Sequence, residues 1–113
     1  MIREEFGGIG VDEKYYTHGE YINCSNLLCK KEGYIIYTKP EMLDILADDL
    51  IERGKMEKTK TNMNAVFNCI RESEEWPNNS NYIIESYTNN EYAGDWLWID
   101  RKNNIIYLQL FSR

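Results

Sequence analysis

The sequence predicts an α+β fold: a single domain over residues 1–113, with an antiparallel sheet of about four or five strands and two helices packed on one face. Three observations carry that expectation. The last third of the chain holds three segments rich in aromatic and β-branched residues, 82–88, 95–100 and 105–111, separated by polar breaks containing Asn and Gly, the pattern of a strand meander. Residues 40–53 carry apolar side chains at helical spacing. A second stripe, Met63, Val66, Phe67 and Ile70, falls at i, i+3, i+4 and i+7. At 113 residues the chain is long enough to bury a core without metal or disulfide staples.

Taken in order, residues 1–32 give the weakest signal. Gly7, Gly8 and Gly10 punctuate the opening, and Tyr15, Tyr16, Tyr21 and Ile22 mark a strand or two. Gly33 leads into Tyr34, Ile35, Ile36 and Tyr37, a short run of strand formers. The helix over 40–53 follows directly. Thr38 and Glu41 have the spacing of a capping box, Pro40 suits a first turn, and Gly54 suits the C-terminal cap. At 100° per residue, Leu43, Leu46, Ala47 and Leu50 share one face, flanked by Met42 and Ile51. Glu41, Asp44, Asp48 and Glu52 line the opposite side, with Asp49 beside them and Ile45 inside the acidic stripe. No base interrupts these acids between residues 41 and 52.

Residues 55–60 read as a basic, polar linker. A second helix is expected from Thr61 to about Glu75, ended by Trp76 and Pro77, because proline disfavours helix at the residue before it. In the meander, alternation places Trp96 and Trp98 on one face of their strand and Leu97 and Ile99 on the other. With both faces apolar, either the sheet is covered on both sides or the tryptophan face is kept for a partner. In the break at 100–104, Asn supplies the left-handed conformation that a tight hairpin needs.

Composition narrows the function. Hydrophobic content of 42% and aromatic content of 13% exclude a disordered tail. A net charge of −6 makes nucleic-acid backbones and anionic membranes poor partners and a basic protein surface a good one. No apolar run approaches the roughly 20 residues a membrane helix needs. The opening MIREEFGGIG has acids where a signal peptide has a basic head, and the three cysteines are an odd number, so a cytoplasmic location with reduced thiols is expected.

No catalytic motif stands out. A cysteine nucleophile would need His18, the single histidine, as its base, with Cys24, Cys29 or Cys69 as partner, and no nucleophile signature surrounds them. His18, Cys24 and Cys29 lack the spacing and the fourth ligand of a zinc site, so no metal or cofactor is expected. Acid pairs such as Asp48 and Asp49 diverge into water on an exposed helix face rather than converge on a substrate. Nine tyrosines and three tryptophans favour binding over reaction, since these side chains join apolar area to a polar handle.

In size, charge and composition the chain is similar in general character to the small acidic immunity proteins that bacteria pair with toxic nucleases, and equally to phage-encoded inhibitors of host defence. The expectation is a non-enzymatic, immunity-type binding protein that covers the basic substrate surface of a toxin domain, a nuclease. The alternatives are a phage or plasmid inhibitor of a nucleic-acid-handling defence complex and, third, a small enzyme or small-molecule binder. The partner-binding residues expected are Glu41, Asp44, Ile45, Asp48, Asp49 and Glu52 on the helix, with Trp96 and Trp98 on the meander.

Overall fold

The computed structural model of the protein describes residues 3–6, 9–23, 30–59 and 85–112. A small hairpin opens it, β1 (Arg3–Phe6) against β2 (Ile9–Asp12). A single 3-10 turn leads into β3 (Tyr16–Asn23), which pairs with β4 (Lys30–Thr38). Another 3-10 turn at Pro40–Met42 starts the helix α1 (Leu43–Gly54). Then come β5 (Glu57–Thr59), β6 (Glu85–Thr88), β7 (Trp96–Asp100) and β8 (Ile105–Ser112). Strands β3 to β8 form one antiparallel sheet in the order β3-β4-β8-β7-β6-β5.

The α+β class therefore stands, but among the described residues the sheet has six strands rather than four or five, and there is one α-helix. The second expected helix, 61–75, and the first residues of the segment 82–88 lie outside the described residues. The extra strand comes from β5, where the sequence suggested a linker. Glu57-Lys58-Thr59 has no apolar alternation because an edge strand paired on one side can leave its side chains in water. The meander β6-β7-β8 is present, and α1 follows β4 directly.

Strands β4, β7 and β8 are apolar on both faces. On one face Tyr34, Ile36, Leu97, Ile99, Ile106 and Leu108 pack with Leu43, Leu46, Ala47 and Leu50 of α1, and Val11 and Tyr16 join them. Val11 thereby draws the β1–β2 hairpin into this core. On the other face Ile35, Trp96, Trp98, Ile105 and Tyr107 make a second buried cluster, flanked by Ile22 and Tyr37. Register explains the division. Ile35 and Trp98 sit opposite Tyr107, while Ile36 and Ile99 sit opposite Ile106, so successive residues alternate between the two cores. The Trp96 and Trp98 rings stack at 5.8 Å between centroids, 10° from parallel.

The helix ends differ from the sequence expectation in instructive ways. No side chain caps the N-terminus. Thr38 stays in β4, where its amide and its hydroxyl both donate to the Asn104 carbonyl at 2.9 Å. The expected capping box is thus replaced by a tie between the start of the helix and the β7–β8 hairpin. That hairpin uses Asn104 in the left-handed region, φ 57°, and the Asp100 carboxylate accepts from both the amide and the side-chain nitrogen of Asn103. At the C-terminus the left-handed residue is Lys55, φ 51°, not Gly54. The Lys55 amide donates to Glu52 O and the Met56 amide to Ile51 O, at 3.1 and 2.9 Å, and buried Met56 packs into the same core as Ile51. These are the paired bonds and apolar contact of a Schellman cap, one position beyond the glycine.

Holding a side chain at left-handed φ costs on the order of 1 kcal/mol that glycine does not incur. Lys55→Gly should therefore raise stability by somewhat under 1 kcal/mol, read as a higher urea midpoint at an unchanged slope. An unchanged or lower midpoint would show that the left-handed cap is not the one that ends α1.

Candidate functional site

The outward face of α1 is the candidate site. Leu43, Leu46, Ala47 and Leu50 point into the core and fix the helix on the sheet. The opposite face then carries Glu41, Asp44, Asp48 and Glu52 into solvent, with Asp49 partly covered. Ile45 stands among them with 53% of its surface exposed. Its helical neighbours at i−4, i+3 and i+4 are Glu41, Asp48 and Asp49, so the apolar side chain is ringed by carboxylates.

Two arginines, neither within residues 41–52, reach this acidic face. Arg101, from the β7–β8 turn, forks between two elements. Its Nη1 meets Asp44 Oδ1 and its Nε meets Glu85 Oε2, each at 2.5 Å. The two carboxylates hold the guanidinium charge above its ordinary pKa, chiefly through the hydrogen bond to Asp44 and then that to Glu85. Lys58 lies 3.9 Å from the other oxygen of Glu85. Near the far end of the helix, Arg53 donates to Asp49 at 2.6 Å and to the Gly10 carbonyl at 2.9 Å, which ties the β1–β2 hairpin to α1. Asp44 and Asp49 are thus engaged within the fold. Glu41, Asp48 and Glu52 make no ion pair with any described residue.

The field of these acids is felt on the sheet. Burial pushes the Tyr87 phenol up from its usual range, and the charges of Glu85, Asp48 and Asp44 add to the rise while Arg101 opposes it.

The other half of the expected site is buried. Trp96 and Trp98 are 3% and 0% exposed. Strand β7 lies between β6 and β8, and both faces of this part of the sheet are covered. The two rings fill a core and offer no surface to a partner. His18 is exposed on β3, 3.3 Å from the Glu20 carboxylate and with its ring tilted 31° against that of Tyr37 at 5.5 Å between centroids, while Cys24, Cys29 and Cys69 lie outside the described residues. Among the described residues no three His, Cys, Asp or Glu side chains converge as metal ligands, and no helix is long and apolar enough to cross a membrane.

Sequence reasoning missed two features. One is the Arg101 fork, whose partners are far apart in the chain. The other is Tyr92, which is 97% exposed at the tip of the loop joining β6 and β7. The signal for it was a lone aromatic inside the polar run Asn89-Asn90-Glu91-Tyr92, with no alternation to pull it inward.

A tyrosine with a raised folded-state pKa keeps its proton longer in the folded protein, so its contribution is complete below pH about 10 and is lost as pH rises beyond that. Tyr87→Phe should flatten the fall in denaturation midpoint between pH 9 and 11 relative to the unmodified protein, lysine titration being common to both. Parallel curves would rule out Tyr87 as the group lost. Compared with known proteins, the chain matches no family model, no curated protein and no solved structure.

Proposed function

We propose that this chain is a small acidic binding protein of the immunity type, which neutralises a toxin domain, a nuclease, by laying the outer face of α1 over its basic substrate surface. The observation that carries the reading is the half-exposed Ile45 inside its ring of carboxylates. An apolar centre with a charged rim is how a compact binding epitope is built: the centre is desolvated and sets the dissociation rate, and the rim steers encounter. A face serving solubility alone has no use for an isoleucine at that point, although singly exposed apolar residues are common in proteins.

The pairing pattern sharpens which acids do this work. Asp44 and Asp49 are neutralised by Arg101 and Arg53 and belong to the fold's own electrostatics. Glu41, Asp48 and Glu52 project charge outward without an intramolecular ion pair among the described residues. A nuclease must present cations to bind phosphate, and those cations would complement this edge. The net charge of −6 acts in the same direction at longer range.

The tagged full chain should isolate from the cells that make it a protein with a basic surface, whose nuclease activity it abolishes at equal concentrations. On that purified pair, Asp48→Lys with Glu52→Lys should slow association about tenfold at low salt, with the deficit shrinking as salt screens the rim. Ile45→Ala should speed dissociation about tenfold, equivalent to ~1.4 kcal/mol, with the denaturation midpoint unchanged because the side chain is half in water. Rates unaffected by all three substitutions would leave the helix a solvated face and end this reading.

A further inference from the structure

We propose that the loop 89–95 is a second docking element, a preorganised knob whose Tyr92 ring enters a pocket on the same basic protein that α1 addresses. This rests on the reading of α1 given above. The loop is longer than a connection requires, since adjacent antiparallel strands can be joined by about two residues. It is also held throughout its length. The Asn89 Oδ1 accepts from the Asp95 amide at 2.8 Å, and the Asn90 Oδ1 accepts from the amides of Tyr92 and Ala93 at 2.9 and 3.3 Å. The Thr88 hydroxyl donates to the Asp95 carbonyl at 2.7 Å, and the Gly94 amide donates to the Asn90 carbonyl at 2.9 Å.

Position 94 must be glycine for this closure. A Cβ there would lie 2.5 Å from the Asn90 nitrogen and 2.6 Å from its carbonyl oxygen, both of them backbone atoms that cannot swing aside. Two further bonds fasten the loop outward. Asn89 Nδ2 donates to the Gly54 carbonyl at 3.1 Å, and the Thr59 hydroxyl donates to Glu91 at 2.8 Å. The loop is therefore stitched to the last turn of α1 and to the edge strand β5.

All this order is spent around a tyrosine that touches almost nothing of its own chain. Fixing a loop in advance removes the ordering cost that binding would otherwise incur, and a rigid amphipathic ring is the side chain that gains most from it. The position suits one shared footprint with α1. Ile45 and Gly54 are nine residues apart in the helix, about 14 Å along its axis. An interface of ordinary size covers about 800 Å² on each partner, a patch roughly 30 Å across. A partner covering the acidic face and extending past Gly54, to which Asn89 is bonded, would meet the loop and need a pocket for a phenol ring beside its cations.

The test places a photoreactive benzoylphenylalanine in the full chain at position 92, 45 or 18, one at a time, in the cells that make the protein. His18 lies on β3, the strand at the sheet edge opposite β5, and is the control. Capture of one and the same basic protein from positions 92 and 45, and not from 18, is expected. With that protein purified, Tyr92→Ala should weaken binding about tenfold and Tyr92→Phe by less than about twofold. Asn90→Ala, which leaves the ring but frees the loop, should weaken binding through faster dissociation or slower productive encounter. Capture from 45 alone, or full affinity in Tyr92→Ala, overturns the loop proposal and leaves the helix reading standing. Capture from 92 alone, or of different proteins, overturns the shared footprint and the helix reading with it. Equal capture from 18 or none at all overturns both.

Discussion

The constraint on which the rest of the structure depends is that β4, β7 and β8 are buried on both faces. An ordinary antiparallel sheet alternates apolar and polar side chains and leaves one face wet. Here Trp96, Leu97, Trp98 and Ile99 are all buried in succession, as are Ile105, Ile106, Tyr107 and Leu108 on the neighbouring strand. The tryptophans are therefore committed to structure. Truncating one would cost on the order of 3–5 kcal/mol of a total stability of about 5–15 kcal/mol. Among the described residues, what remains for contact with other molecules lies outside that double layer: the outer face of α1, the loops at its ends and the edge strands.

A second layer of organisation is electrostatic and acts at those outer elements. Exposed ion pairs contribute little each, about 0–1 kcal/mol, so the arginines matter for placement more than for stability. Arg101 leaves the β7–β8 turn and joins α1 to β6 through Asp44 and Glu85. Arg53 joins α1 to the β1–β2 hairpin through Asp49 and the Gly10 carbonyl. Together they hold the two ends of the helix against different neighbours. They also divide the acids into those that answer a charge within the protein and those that do not. The repulsion along the helix that the bare sequence implies is thereby reduced but not removed, because Asp48 and Glu52 remain one turn apart, with Glu41 two turns before Asp48.

The legible parts of this fold were those whose signal is local. Strands β7 and β8 and the helix were found to within a few residues because aromatic or β-branched runs and a 3.6-residue stripe are written in consecutive positions. The β1–β2 hairpin and β5 were not, since Arg3–Phe6 and Glu57–Thr59 are charged strands defined by their pairing rather than by apolar content. Thr38 misled for a similar reason: its capping-box spacing was real, but a carbonyl from Asn104, far along the chain, took the hydroxyl. At the site, the acidic stripe and Ile45 were legible from helical spacing alone. The neutralisation of Asp44 and the burial of Trp96 and Trp98 were not, because each depends on which distant segment lies alongside, and the projection of Tyr92 had only the weak local signal of a lone aromatic in a polar run.

Three large apolar side chains stand exposed among the described residues, Tyr21, Ile45 and Tyr92, and their surroundings separate them. Tyr21 leans on Tyr34 at 5.4 Å between ring centroids and finishes the edge of the helix-side core. Its exposure is that of a core residue at a boundary, which needs no partner to explain it. Ile45 and Tyr92 have no such role: one faces away from the core on a helix held down by four buried residues, the other tops a loop closed by side-chain hydrogen bonds. In both cases the backbone beneath is fixed and the side chain above contributes nothing to fixing it. A surface shaped by solubility alone would put charge at such points, because a rigid exposed apolar group gains nothing in water and adds a liability to aggregate. The same group on a rigid support lowers the entropy cost of association with a complementary surface. That asymmetry is the physical ground for proposing that these two positions serve binding.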